Sequence, residues 1–205
     1  GLLPALRKEK ALPEAELAAL ERRAWSGRLA LAGQSGLNGG ETALQPLTQA
    51  WQQLSAAQRN EPELLLAYVE QLRALGAPEE AEELLRTALK RGYDGRLMRF
   101  YGLLRGRDPA RQLQTAEAWL KQQPNDPLLL LSLGRLCLQN HLWGKAREYF
   151  EASLSFERNP ETCAELARLL ARLGEVERSN QLFQNGLELL NQRLPALPLP
   201  AKQSA

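Results

Sequence analysis

The sequence contains no isoleucine, and the only valines among its 205 residues are Val69 and Val176. Strands favour β-branched residues, whereas Leu, Ala, Glu, Gln and Arg favour helices. The shortage of β-branched residues therefore predicts an all-α protein, and no dinucleotide-binding fold is indicated.

Groups for catalysis or metal binding are also scarce. His141 is the only histidine, so a histidine-based dyad or metal cluster has one possible member. The two cysteines, Cys137 and Cys163, match neither a zinc spacing nor a disulfide framework, and we expect both to be small buried residues. We therefore expect no enzyme activity and no metal site, and the residues indicate no cofactor.

The chain lacks a strong charge imbalance and a long apolar run. Its net charge of +2 comes from interspersed charges, which does not favour nucleic-acid binding. No apolar run approaches the roughly 20 residues of a membrane span, and no signal peptide is visible. Because the chain begins at Gly1 rather than Met, we expect it to be part of a longer protein.

A repeated helix–turn–helix pattern is what the sequence does contain. The same order of large and small side chains recurs in three segments, each of which opens with a proline (Pro62, Pro127 or Pro160). The step from Pro127 to Pro160 is 33 residues, close to the roughly 34 residues of a tetratricopeptide (TPR) repeat. The matching positions are Leu65, Tyr68, Val69, Leu72, Ala81, Leu85 and Ala88, then Leu130, Leu133, Gly134, Cys137, Ala146, Phe150 and Ser153, then Cys163, Leu166, Ala167, Leu170, Ser179, Phe183 and Gly186.

We predict one TPR-like α-solenoid over residues 1–190. The clear repeats are 62–93, 127–158 and 160–190, and the degenerate ones are 13–55 and 94–124. Gly95, Gly102 and Gly106 weaken helix, so we expect irregular backbone or a short helix around residues 94–107. Residues 2–7 resemble the end of a helix. In the first unit, we expect a helix to about Leu31 and a break at residues 33–40.

Residues 191–205 form a proline-rich tail with two possible interpretations. The tail is either disordered, or it packs Leu194, Leu197 and Leu199 onto an apolar groove of the array or of a neighbour.

In a TPR stack the first helix of each repeat lines the concave face, which is the usual binding surface. Arg135 and Arg168 fall at equivalent places, so either an anion or acidic peptide joins them, or Glu161 and Glu165 neutralise them. Leu128 and Leu131 lie off the face that forms the core of the repeat, so either they bind a partner helix or peptide, or a neighbouring repeat buries them. The predicted partner groove consists of Leu128, Leu131, Arg135, Leu138, Arg168 and Arg73.

Three segments resemble a more particular family. Residues 88–102, 108–124 and 133–154 resemble the C-terminal part of the HemY-type proteins of proteobacteria. The phrase LWGKA at residues 142–146, together with Tyr93-Asp94 and Arg96-Leu97, carries most of that similarity. HemY-type proteins are TPR-containing inner-membrane proteins associated with protohaem biosynthesis.

The resemblance implies a membrane anchor before this chain, with the TPR region on the cytoplasmic side of a bacterial inner membrane. It further implies a non-enzymatic scaffold that binds haem-pathway enzymes in a late step of haem biosynthesis. Two alternatives stay open at this stage. One is a haem- or porphyrin-binding module with His141 or Cys137 near the ligand, and the other is a homo-oligomer whose groove holds a neighbour's tail.

Overall fold

A computed structural model describes residues 13–37 and 40–191, and every regular element in this part of the chain is helical. The predicted all-α, TPR-like array is therefore confirmed. The helix expected at residues 2–7 and the proline-rich tail lie outside the described residues. The helices are α1 (Glu14–Gly36), α2 (Gln45–Gln52), α3 (Ala56–Arg59), α4 (Pro62–Ala74), α5 (Pro78–Arg91), α6 (Gly95–Tyr101), α7 (Pro109–Glu117), α8 (Pro127–Gln139), α9 (Trp143–Phe156), α10 (Pro160–Arg172) and α11 (Val176–Asn191), with 3₁₀ turns at Gly40–Thr42 and Ala118–Lys121.

Local capping explains where several first helices begin. The Asp126 carboxylate accepts hydrogen bonds from the backbone N–H groups of Leu128 (2.7 Å) and Leu129 (3.4 Å) at the start of α8. The side-chain oxygen of Asn159 accepts one from Glu161 N–H (2.8 Å) at the start of α10. At the start of α4, by contrast, the Glu61 side chain makes no capping hydrogen bond.

The α8–α9 hairpin shows why small residues recur in the repeat. A Cβ atom on Gly134 would lie 2.3 Å from Cε1 of Phe150, so only glycine lets α9 approach this closely. Phe150 and Ala146 are fully buried, and the Ser153 hydroxyl donates to the carbonyl of Pro127 (2.8 Å). Hence one hairpin buries a large ring between two helix backbones.

The turn between the two helices of each clear repeat contains a residue with positive φ. Gly76 and Gly174 hold this place at φ 79° and 86°, and His141 holds it at φ 59°. Glycine adopts this conformation freely, while histidine does so at some cost. The side chain of His141 is exposed, so this histidine lies in a turn at the surface.

The degenerate repeat contains a short first helix, as its glycines predicted. Helix α6 ends at Tyr101, and a Cβ on Gly102 would lie 2.7 Å from Cα of Ser132 in α8. Gly102 therefore allows α6 and α8 to approach closely, besides weakening the helix. The second helix is also divided, because α7 ends at Glu117 and a 3₁₀ turn follows.

Polar side chains of α8 donate hydrogen bonds to carbonyl groups within and just beyond the short α6. Ser132 donates to the carbonyl of Met98 (2.7 Å), and the Gln139 amide donates to that of Leu104 (3.0 Å). Buried Gln112 also donates to Leu104 (3.1 Å). Because an unpaired buried carbonyl costs about 1–3 kcal/mol, these side chains make the irregular segment tolerable inside the array.

The first hairpin differs from expectation at its turn. Helix α1 continues through Gly33 to Gly36 rather than ending near Leu31. A Cβ on Gly33 would lie 2.2 Å from Gln71 Oε1, and one on Gly36 would lie 2.1 Å from the Ala43 carbonyl oxygen. The expected break at these residues is wrong, since both glycines provide close packing within a helix.

Candidate partner-binding face

The first helices α4, α6, α8 and α10 form what we call the concave face. The structure places the six predicted groove residues in three different environments. Arg73 and Arg168 are exposed, and Leu128 and Leu138 are partly buried. The remaining two, Leu131 and Arg135, are buried.

Leu131 does not belong to any exposed groove. Its side chain is fully buried within the core, so its assignment to the partner groove is wrong and burial by a neighbouring repeat is the explanation. Leu128 lies against the start of α6, where a Cβ on Gly95 would be 3.2 Å from Leu128 Cδ1. The short, glycine-containing α6 lets α8 pack closely against it at Leu128, which is therefore partly buried.

Arg135 lies at the centre of an ion-pair network. Its Nη2 atom is 2.9 Å from Glu161 Oε2, and its Nε atom is 3.1 Å from Glu165 Oε1. It is 7% exposed, and burial lowers the pKa of its guanidinium while the Glu165 carboxylate opposes that shift. Of the two predicted alternatives, neutralisation by the two glutamates is the one observed, since Arg168 Nη2 also lies 2.5 Å from Glu165 Oε2.

Arg99 completes this network and was not predicted. Its guanidinium makes two hydrogen bonds with the Glu161 carboxylate, although α6 and α10 lie on either side of α8. The ion pair therefore crosses over α8 and covers Arg135. No sequence period connects residues 99 and 161, because the degenerate repeat interrupts the regular spacing.

A second group of charges lies nearer the N-terminal end of the concave face. Arg22 Nε in α1 is 3.2 Å from Glu63 Oε2, and Arg96 Nη1 is 4.0 Å from Glu63 Oε1. The Arg73 guanidinium lies over the Phe100 ring, 5.7 Å from its centroid. Glu63 is thus shared by two arginines, whereas Arg73 contacts an aromatic ring.

The residues considered for haem ligation lie in unlike environments. The His141 ring is exposed and meets Trp143 edge-on at 5.2 Å between centroids. Cys137 is fully buried, and burial raises the pKa of its thiol to about 11. Within residues 13–37 and 40–191, no group of three His, Cys, Asp or Glu side chains is placed to hold a metal ion. Both cysteines are buried, as predicted.

Comparison with known proteins supports the family resemblance. The chain is 27% identical to protein HemY of Escherichia coli K12 over 194 residues, which is 95% of this chain and 47% of HemY. The chain is HemY-like. It spans about half the length of the curated HemY relatives that it matches, and no family model matches it.

Other similarities concern the repeat. Tetratricopeptide repeat protein 21B of Mus musculus is 31% identical over 80 residues, which is 39% of this chain and 6% of that protein. A crystal structure of a thermophilic TPR protein from Thermus thermophilus superposes with a TM-score of 0.58 at 19% identity, covering 83% of this chain and 93% of that one. The latter shows the fold alone. None of the described helices is both long enough and apolar enough to cross a membrane.

Proposed function

We propose that this chain is the protein-binding part of a membrane-anchored, HemY-like protein that acts in a late step of haem biosynthesis. The observation that carries the proposal is the similarity to HemY along 95% of the chain, on a TPR fold. In this role the array binds haem-pathway enzymes on its concave face, at the cytoplasmic side of a bacterial inner membrane. The chain itself acts as a scaffold and not as an enzyme.

The exposed part of the concave face determines what kind of partner it fits. Arg168 keeps 64% of its side chain exposed although it contacts Glu165, and Arg73 is exposed above Phe100. Such side chains can turn toward a partner's carboxylates at little cost, because exposed ion pairs contribute only about 0–1 kcal/mol. The partner therefore presents acidic groups spaced to reach both arginines.

The buried part of the face contributes stability instead of contacts. Arg135 and Leu131 are inaccessible, and a charge at Leu131 would be placed in the core. Loss of binding in a variant of either residue would therefore not distinguish a lost contact from a damaged fold. Only exposed residues make a useful test.

The test compares two double variants of the full-length protein in its native membrane. Arg73→Glu with Arg168→Glu reverses two exposed charges on the concave face, whereas Arg107→Glu with Arg178→Glu reverses two on the side of the second helices. Both control positions are exposed and lie next to glutamates, as Arg168 does.

Neighbours are identified by crosslinking and mass spectrometry. We expect haem-pathway enzymes among the neighbours of the parent and the control, and their loss from the concave-face variant. Equal capture by both variants would refute the concave-face assignment, and a parent without any haem-pathway neighbour would refute the proposed role.

A further inference from the structure

The last helix, α11, carries an apolar stripe that the described part of the array does not cover. Val176, Phe183, Leu187 and Leu190 are 51%, 39%, 57% and 69% exposed. At 100° per residue, these four side chains lie within an arc of about 60° on the helix. One face of α11 therefore presents a continuous apolar surface, which we call the end face.

The end face adjoins the side of α11 that packs in its own hairpin, and lies between that side and the solvent. Ser179 and Gly186 are buried against α10, where Ser179 donates to the Ala167 carbonyl (2.7 Å) and a Cβ on Gly186 would lie 3.2 Å from Cys163 Cβ. In a repeat array, the outer face of a terminal unit is normally polar, and that of an inner unit is covered by the next unit. An apolar end face therefore indicates a covering segment.

We propose that the leucine- and proline-rich segment at residues 194–200 (LPALPLP) of the same chain folds back and covers the end face. The segment begins three residues after α11 ends at Asn191, and it contains no charged side chain. An extended, polyproline-like run of these seven residues is about 19–22 Å long. The end face is about 21 Å long from Val176 to Leu190. Composition and length therefore match.

The size of the end face favours this occupant over a second copy of the chain. A helix of this length covers about 24 Å by 10 Å, or roughly 240 Å². Stable interfaces between proteins bury about 800 Å² on each partner. A tethered segment needs much less area, because it does not lose the translational freedom of a separate molecule.

The inference is independent of the proposed function and can be tested by limited trypsin digestion of the whole chain. Cleavage after Arg193 reports whether the segment beginning at Leu194 is held. One variant, Leu197→Ser with Leu199→Ser, changes the segment away from the cleavage site. The other, Phe183→Gln with Leu187→Gln, changes the end face. Leu31→Gln with Leu37→Gln is the matched control, because both leucines are exposed on or beside α1.

We expect both test variants to accelerate cleavage after Arg193 by about tenfold, the factor that corresponds to 1.4 kcal/mol of lost contact. The control should match the parent, and all proteins should keep their far-UV circular dichroism. Equal cleavage in all four proteins would overturn the proposal. Sedimentation as a dimer that either test variant dissociates would also overturn it, because the end face would then be covered by a second copy.

Discussion

Replacing Gly134 with alanine tests whether close helix approach determines the residue at the small positions of the repeat. The new Cβ would lie 2.3, 2.5 and 2.8 Å from three carbons of the Phe150 ring. Because carbon atoms in contact prefer about 3.5–4.0 Å, the ring must retreat by more than about 1 Å. Phe150 is fully buried, so its neighbours must move as well.

The magnitude follows from two opposing effects. Overpacking of this kind costs about 1–3 kcal/mol, and the large overlap places Gly134→Ala near the upper end of that range. Alanine in place of glycine inside a helix returns about 1 kcal/mol. We therefore expect Gly134→Ala to lower the free energy of unfolding by about 2 kcal/mol.

Gly144 provides the matched control in the same hairpin. It lies in α9, and a Cβ there would meet no atom within 4 Å. Gly144→Ala should therefore raise the free energy of unfolding by up to about 1 kcal/mol.

Urea unfolding followed by far-UV circular dichroism measures both variants, and adding Phe150→Leu to Gly134→Ala should recover part of the loss. A Gly134→Ala protein as stable as Gly144→Ala would refute the reasoning.

Three further predictions concern single side chains. Burial raises the pKa of Cys137 to about 11 and also raises the pKa of Cys163. Neither thiol should therefore react with a disulfide reagent at neutral pH until denaturant is added. Stoichiometric labelling of the native protein would contradict this prediction. His141→Gly should raise the urea midpoint of unfolding, because glycine adopts the positive φ at this position without the cost of about 1 kcal/mol that histidine has. A lower midpoint would show that the lost contact with Trp143 stabilises the protein by more than this cost. Asp126→Ala should lower the free energy of unfolding by about 2–4 kcal/mol, because it removes a helix cap and the acceptor of the Tyr93 hydroxyl (2.6 Å). Tyr93→Phe removes only the second contact and should lower it by about 1–2 kcal/mol in the same urea assay. Equal losses for the two variants would contradict the capping role.

The hairpin geometry could be predicted from sequence because each constraint is local. Gly134, Ala146 and Ser153 lie where helices of one hairpin meet, and the same spacing recurs in the other clear repeats. The caps at Asp126 and Asn159 are likewise set by residues two or three positions away. Such features depend on few neighbours, so a repeated pattern identifies them.

The accessible surface could not be predicted in the same way. Leu131 has the helical position of a groove residue, but the depth to which α8 packs depends on the shortness of α6. Gly33 shows why a glycine in a sequence is difficult to interpret. A glycine can end a helix, or it can lie within a helix where a neighbouring side chain packs closely, as Gln71 does here. The Arg99–Glu161 contact joins α6 and α10 across the degenerate repeat, where the regular spacing of the sequence is interrupted.

The degenerate repeat at residues 94–124 determines which part of the concave face is exposed. Ser132 and Gln139 of α8 donate to the carbonyls of Met98 and Gly102 at the end of the short α6, which holds the two helices together. That approach in turn lets Arg99 reach Glu161 across α8 and cover Arg135. The centre of the face is consequently closed by the chain's own ion pairs. In the proposed function, a partner binds through exposed side chains on either side of this network. Weakening the network by Glu161→Gln should then alter stability before it alters the choice of partner.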